Sequence, residues 1–313
     1  MAKSSLQVDL QGKSARFDNT PEGRGDLLAR LPAGAFAIME ATGSYHLPLL
    51  DLLQSRGIPA AVVNPARAKS FAKARGTLAK TDPVDAAMLS AFGRAMQPAS
   101  TSPREPARVE LKELMAIREA LVAETILWRN LMEHQQSATA RKLAAGRLKQ
   151  ATLTLAKLEQ RITRSLEQSA HLAPVAQVIR SCKGVGLVTT AVLISEMPEL
   201  GRVSRREIAA LAGLAPYAND SGKSEGKRSI RAGRPKVKRA LYLASLSVVR
   251  HHPDLSSAYK ELRAKGKPAK VALVAIARKL LVILNARLRD HYVLTGEAAG
   301  GNPSQEPQKL TKQ

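Results

Sequence analysis

Lys80-Thr-Asp-Pro-Val-Asp-Ala-Ala-Met-Leu89 sets two carboxylates, Asp82 and Asp85, three residues apart at the head of an apolar-periodic run. Proline favours the first turn of a helix, where its missing N–H costs no hydrogen bond. The stretch therefore predicts a helix starting here, with Asp82 as N-cap and Asp85 at N3, both near the positive end of the helix dipole. Two readings of the pair stand side by side. Held on one side of a helix start, the acids form part of a site for a hard divalent cation, which takes oxygen ligands. Otherwise Asp82 is a cap and Asp85 complements the dipole, with no ligand involved.

Upstream, Leu6–Leu10 and Ser14–Asp18, joined by Gln11-Gly-Lys13, predict a hairpin, followed by a short helix from Pro21 to Leu31. Ala35-Phe-Ala-Ile-Met39 is a compact apolar run that predicts a buried strand ending at Glu40. A helix through Leu53 and a second buried strand, Ala60–Asn64 stopped by Pro65, follow; the basic stretch Arg67 to Lys80 connects to the Asp82 helix. Strands alternating with helices predict an α/β layer over residues 1–100. Ligands of such sheets gather at the carboxyl ends of strands, which singles out Glu40, although a lone glutamate there is often only exposed. One strand-end acid plus two at a helix start is the set with which nucleases of the ribonuclease-H type hold two Mg2+ ions, which activate a nucleophile and stabilise the leaving oxygen.

Pro98 to Pro106 has the composition of a linker. Beyond it the period becomes seven: Leu114, Leu121 and Trp128 with Ile117 and Leu131 alongside, then Leu148, Leu155 and Ile162. Residues 104–172 are thus expected to form two long helices in an antiparallel or intermolecular coiled coil. The remainder, 173–295, predicts a mainly α-helical domain. It opens with Ser181-Cys-Lys-Gly-Val-Gly186, a Gly-x-Gly turn whose N–H groups and Lys183 suit a phosphate, as in helix-hairpin-helix modules, or which is an ordinary tight turn. A short helix over Glu207–Leu214 and apolar helices over Ala240–Arg250 and Ala269–Leu288 supply its core, and 296–313 reads as a disordered tail. Between them Asn219–Arg234 predicts a glycine-broken basic loop; Lys223, Lys227, Arg228, Arg231, Arg234, Lys236, Lys238 and Arg239 follow one another with Glu225 as the only acid. Such a run fits a phosphate backbone. Ser221, beside Gly222, is a candidate nucleophile, but the loop has no histidine to act as its base. Adjacent His251 and His252 are assigned no site.

The 313 residues carry 49 Lys and Arg against 26 Asp and Glu, a net charge of +23. A surplus of that size points to a polyanion, nucleic acid by default, because each neutralised phosphate releases counterions. No apolar run reaches the roughly 20 residues of a membrane span, no signal peptide is evident, and Cys182 is the single cysteine. A reducing cytoplasm, with neither disulfide nor Cys-rich zinc site, is the expectation.

Six landmarks occur in one order: Met39-Glu-Ala-Thr-Gly-Ser-Tyr45, Val63-Asn-Pro65, Lys80-Thr-Asp-Pro-Val-Asp-Ala86, Lys183-Gly-Val-Gly186, Leu211-Ala-Gly-Leu-Ala-Pro216 and Asp220-Ser-Gly222. Together they resemble the DEDD-type insertion-sequence transposases, the family that includes the pilin-gene inverting recombinases. The resemblance implies an RNase H/RuvC-like domain in which Glu40, Asp82 and Asp85 hold Mg2+, and a C-terminal domain whose Ser221 attacks DNA to give a transient phosphoserine link. It further implies a homo-oligomer and a structured non-coding RNA as guide. One departure stands out. The family's first aspartate ends the opening strand in a Gly-Ile-Asp pattern ahead of a Ser-Lys pair; Lys3 takes the lysine place, so the aspartate would precede Met1, and Asp9 lies too late in the hairpin to replace it. The first strand is therefore expected to be missing, through a late start or through loss that leaves the copy inactive. The alternatives are a RuvC-like endonuclease that uses water, and a truncated DNA- or RNA-binding remnant.

Overall fold

The computed structural model describes residues 3–41, 43–77, 81–217 and 229–296. The chain divides into two compact units, 1–104 and 105–313.

In the first unit, β1 (Ser5–Leu10) and β2 (Lys13–Asp18) form the expected hairpin, with Leu6 opposite Phe17. Both side chains are buried against Leu27 of α1 (Pro21–Ala29), whose N-terminus is capped by the Thr20 hydroxyl. β3 (Ala37–Glu40) and β4 (Ala60–Val63) pair in parallel through α2 (Leu47–Ser55), a crossover that buries Leu49, Leu50 and Leu53. β3 ends on Glu40 itself, opposite Val63. Two features depart from the expectation. The connecting basic stretch is a helix, α3 (Pro65–Ala74), because Asn64 accepts from the Ala66 N–H and Pro65 occupies the first turn. The next helix, α4 (Asp82–Met96), takes Thr81 as N-cap, so Asp82 is its first helical residue and Asp85 stands at N4.

In the second unit, α5 (Pro106–His134) and α6 (Ala138–Gln168) form a helical hairpin. A link of three residues makes the neighbours antiparallel. Their facing stripe repeats every seven residues: Leu111, Leu114, Arg118, Leu121, Thr125 and Trp128 on α5, and Ala144, Leu148, Ala151, Leu155, Leu158 and Ile162 on α6, all buried or half-buried. Arg118 and Arg161 pair with Glu159 and Glu110 across or beside it. Ile117 and Leu131, expected in the stripe, are exposed.

Leu111, Met115, Ile162 and Leu166 join one core with α7 (Leu172–Arg180), α8 (Leu187–Glu196), α9 (Arg205–Leu211), α10 (Pro235–His251), α11 (Pro253–Ala264) and α12 (Ala269–Thr295). α9 starts on a capping box, Ser204 with Glu207. α10 begins five residues before the expected helix, since Pro235 opens it and Val237 already faces the core. Lys236, Lys238 and Arg239 therefore lie on a helix rather than in a loop. The tail from residue 297 falls outside the described residues, and no helix among them is long and apolar enough to cross a membrane.

Candidate functional site

Glu40, Asp82 and Asp85 line one cavity of about 1020 Å³ in the first unit, together with Asp9 of β1. Its walls are two strands. Residues 5–11 contribute one side and 34–40 the other, over a floor that includes Leu27, Leu49, Leu53 and Leu89. Among the described residues β1 pairs only with β2 and β3 only with β4, so each strand has an edge of unpaired backbone groups. α4 is pressed close to β3 at one point: a Cβ on Gly93 would fall 2.5 Å from Ile38 Cγ1. α4 runs along the cavity, lining it from Asp82 and Asp85 at its start to Gly93 and Arg94 near its end, while β3 enters with Glu40.

Four carboxylates are a donor set suited to a hard divalent cation. Nevertheless, no three His, Cys, Asp or Glu side chains among the described residues are grouped closely enough to hold a metal ion. The three predicted acids share a cavity without closing on a common point.

In the second unit, the basic segment is framed by a short antiparallel pair, β5 (Pro216–Tyr217) with β6 (Ser229–Ile230), which the sequence reading did not anticipate. Ser221, Lys223, Lys227 and Arg228 lie between these strands, outside the described residues. The base of the pair is locked. Gly213 and Gly233, both at positive φ (72° and 76°), pack backbone against backbone, and a Cβ on Gly233 would fall 2.1 Å from the Gly213 nitrogen. Arg234 donates to both carboxylate oxygens of Glu199, at 2.8 and 2.6 Å. Burial acts to raise the Glu199 carboxyl, but the Arg234 bonds and charge outweigh it and hold the group below the usual carboxylate range.

The expected phosphate-binding cations thus divide by partner. Arg234 is tied to Glu199, and Lys236 and Arg239 both pair with Glu119 of α5. Lys183, Arg231 and Lys238 pair with no acid among the described residues, and Lys183 and Arg231 are exposed. Net charge along the sequence could not make this distinction, because Glu119 lies more than a hundred residues from its partners.

Two family models match the chain in succession. Residues 9–139 match a DEDD-type model described as "Transposase", and residues 176–260 match one described as "Transposase IS116/IS110/IS902 family". The α/β unit with its acid-lined cavity thus falls within a match to the DEDD transposases, a class of DNA transposase and recombinase enzymes whose domain implies an RNase H/RuvC-like fold and the use of divalent metal ions. More particularly, the segment in the second unit is similar to the IS116/IS110/IS902 family of insertion-sequence transposases. The chain is 27% identical over 258 residues to the pilin gene-inverting protein of Moraxella bovis, covering 81% of this chain and 80% of that one, and equally to its Moraxella lacunata counterpart. Over 135 residues it is 36% identical to the 43.6 kDa protein of insertion element IS110 from Streptomyces coelicolor, covering 42% of this chain and 32% of that one.

Proposed function

We propose that this transposase cuts and rejoins DNA through a phosphoserine intermediate formed on Ser221, with a divalent cation, Mg2+, at Glu40, Asp82 and Asp85. The observation that carries the reading is the cavity, which gathers those three acids between two strands with unpaired edges.

In the reaction, Ser221 Oγ attacks a phosphodiester, its proton leaves, and the departing deoxyribose oxygen takes one up. The hydroxyl of a new strand then displaces the serine from phosphorus and restores it. Lys183, Arg231 and Lys238, which have no acidic partner among the described residues, balance the phosphate charge during both steps. A cation held by the acids would supply charge neutralisation at a phosphate and a lowered pKa for an attacking hydroxyl. The net charge of +23 accommodates a structured guide RNA alongside DNA. Self-association through the α5–α6 hairpin is supported by Leu127, Leu143 and Leu153, which remain 51–69% exposed on it.

The test is a covalent-adduct assay on labelled element-end DNA with its flanking RNA and Mg2+. Adduct, abolished by Ser221→Ala with DNA binding retained, is the expected result. Adduct surviving Ser221→Ala overturns the nucleophile. Binding without adduct returns the chain to a water-using nuclease, if strands are cut, or to a binding remnant, if they are not.

A further inference from the structure

Between Asp51 and Asp82 the sequence contains no acid, yet it places Arg56, Arg67, Lys69, Lys73, Arg75 and Lys80 there. The structure gathers four of these cations on or beside α3. Arg67, Lys69, Lys73 and Arg75 are all exposed. None pairs with an acid among the described residues, whereas Arg234, Lys236 and Arg239 of the second unit each do. The helix is fixed to its unit by its other face. Ala68 is buried, and Phe71 meets Phe92 of α4 edge-on, with ring centroids 5.3 Å apart. Arg67 Cζ lies 5.8 Å from the Phe92 ring centroid and Arg75 Cζ 5.8 Å from that of Phe71, contacts that steady each guanidinium on the surface of the unit. Lys69 and Lys73, four residues apart, share a side of the helix with the small, exposed Ala66 and Ser70, so nothing bulky stands between their ammonium groups and an approaching backbone.

We infer that α3 is a binding surface for the phosphodiester backbone of duplex DNA, contacted by Lys69 and Lys73 as point charges and by Arg67 and Arg75 at their N–H edges. Uncompensated cations on a rigid helix favour an anion that presents charges at regular spacing. Duplex DNA is the occupant because α3 packs on α4, the helix that opens with Asp82 and Asp85. DNA lying along α3 is held by the same unit that carries the acid-lined cavity. The inference rests on the transposase reading for its choice of DNA, but its test reads binding alone, so a failed adduct assay leaves it intact and its own failure leaves the adduct reading intact.

The experiment measures the affinity of the full chain for a short fluorescein-labelled DNA duplex across a salt series, using Lys69→Ala/Lys73→Ala. Both positions are exposed and alanine favours helix, so folding is preserved. The slope of log affinity against log salt is expected to fall by about 2, near 0.9 per lost phosphate contact. Lys69→Arg/Lys73→Arg should restore it. The control pair Lys260→Ala/Lys265→Ala, equal in charge and exposed on the second unit, should leave it unchanged. An unchanged slope in the α3 variant overturns the inference. So does an equal fall in the control, which would reduce α3 to a share of the overall field, or a fall seen only with a structured RNA probe, which would make the surface an RNA site.

Discussion

Gly93 on α4 and Ile38 on β3 touch so closely that there is no room for a methyl group between them: a Cβ at 93 would lie 2.5 Å from Ile38 Cγ1 and 3.1 Å from its Cδ1. Ile38 cannot retreat easily, since it is branched and sits in a strand paired with Ala61. Alanine gains about 1 kcal/mol of helix propensity over glycine, while forcing a methylene into packed surroundings costs roughly 1–3 kcal/mol. At this separation the second effect wins. Gly93→Ala is expected to destabilise the protein by about 1–2 kcal/mol in urea unfolding, and adding Ile38→Ala should make the glycine change harmless. A Gly93→Ala protein as stable as the parent would show that the close approach does not set the position of α4.

The Glu199–Arg234 pair gives a signed pH dependence. Its carboxyl sits below the usual range in the fold because Arg234 outweighs the opposing effect of burial. A carboxylate depressed in this way contributes stability above its unfolded pKa and loses it as pH falls through the folded value. The urea midpoint of Glu199→Gln should therefore lie well below that of the parent at neutral pH, and the gap should narrow below about pH 4. A gap constant with pH would mean that glutamine's loss is one of packing alone.

How far these features could be read without coordinates depends on the range of the interaction. β3 stops on Glu40 as the apolar run Ala35–Met39 implies, and α4 starts where Asp82-Pro83 signals it, because both are encoded by neighbours. The start of α3 was also encoded locally, by Asn64-Pro65. It is obscured because Pro65 also reads as a strand stop, and because only Ala68, Phe71 and Ala72 mark an apolar side. At α10 too a proline occupies the first turn, Pro235 opening the helix five residues ahead of the expected Ala240. Arg234 and Glu199, or Arg239 and Glu119, are long-range pairs; composition counts such residues as basic surface, and only the fold assigns them partners. The shared cavity of Glu40, Asp82 and Asp85 depends on the packing of α4 against β3, which no spacing encodes.

His46, at the start of α2, is buried, and its Nδ1 has no partner among the described residues. Burial first, and the nearby Arg104 charge second, push its pKa below the ordinary histidine value. The unfolded chain takes up this proton near pH 6.5, while the folded chain resists it to lower pH. Stability should accordingly decline as pH falls below about 6.5 and level off beneath the folded value. His46→Gln is expected to flatten that decline, and an imidazole NMR titration of His46 should give a midpoint below those of exposed histidines. A midpoint at or above the ordinary value would remove the effect.

Glu119 offers the sharpest separation of structural from DNA-binding cations. Its carboxylate is 2.8 Å from Lys236 and also pairs with Arg239, and the hydrogen bond from Lys236 leads the contacts that hold its pKa down. One negative charge therefore engages two of the cations that follow Ser221 in sequence. Replacing it with Glu119→Gln releases both without adding positive residues, so DNA affinity should rise, and the log affinity against log salt slope should steepen by up to about 2. Lys236→Ala in the parent should change that slope little, because the lysine is already paired, whereas Lys183→Ala should lower it by about 1. If Glu119→Gln leaves both affinity and slope unchanged while Lys236→Ala weakens binding as much as Lys183→Ala, Lys236 reaches the phosphate despite its acidic partner, and the division of the basic residues by ion pairing fails.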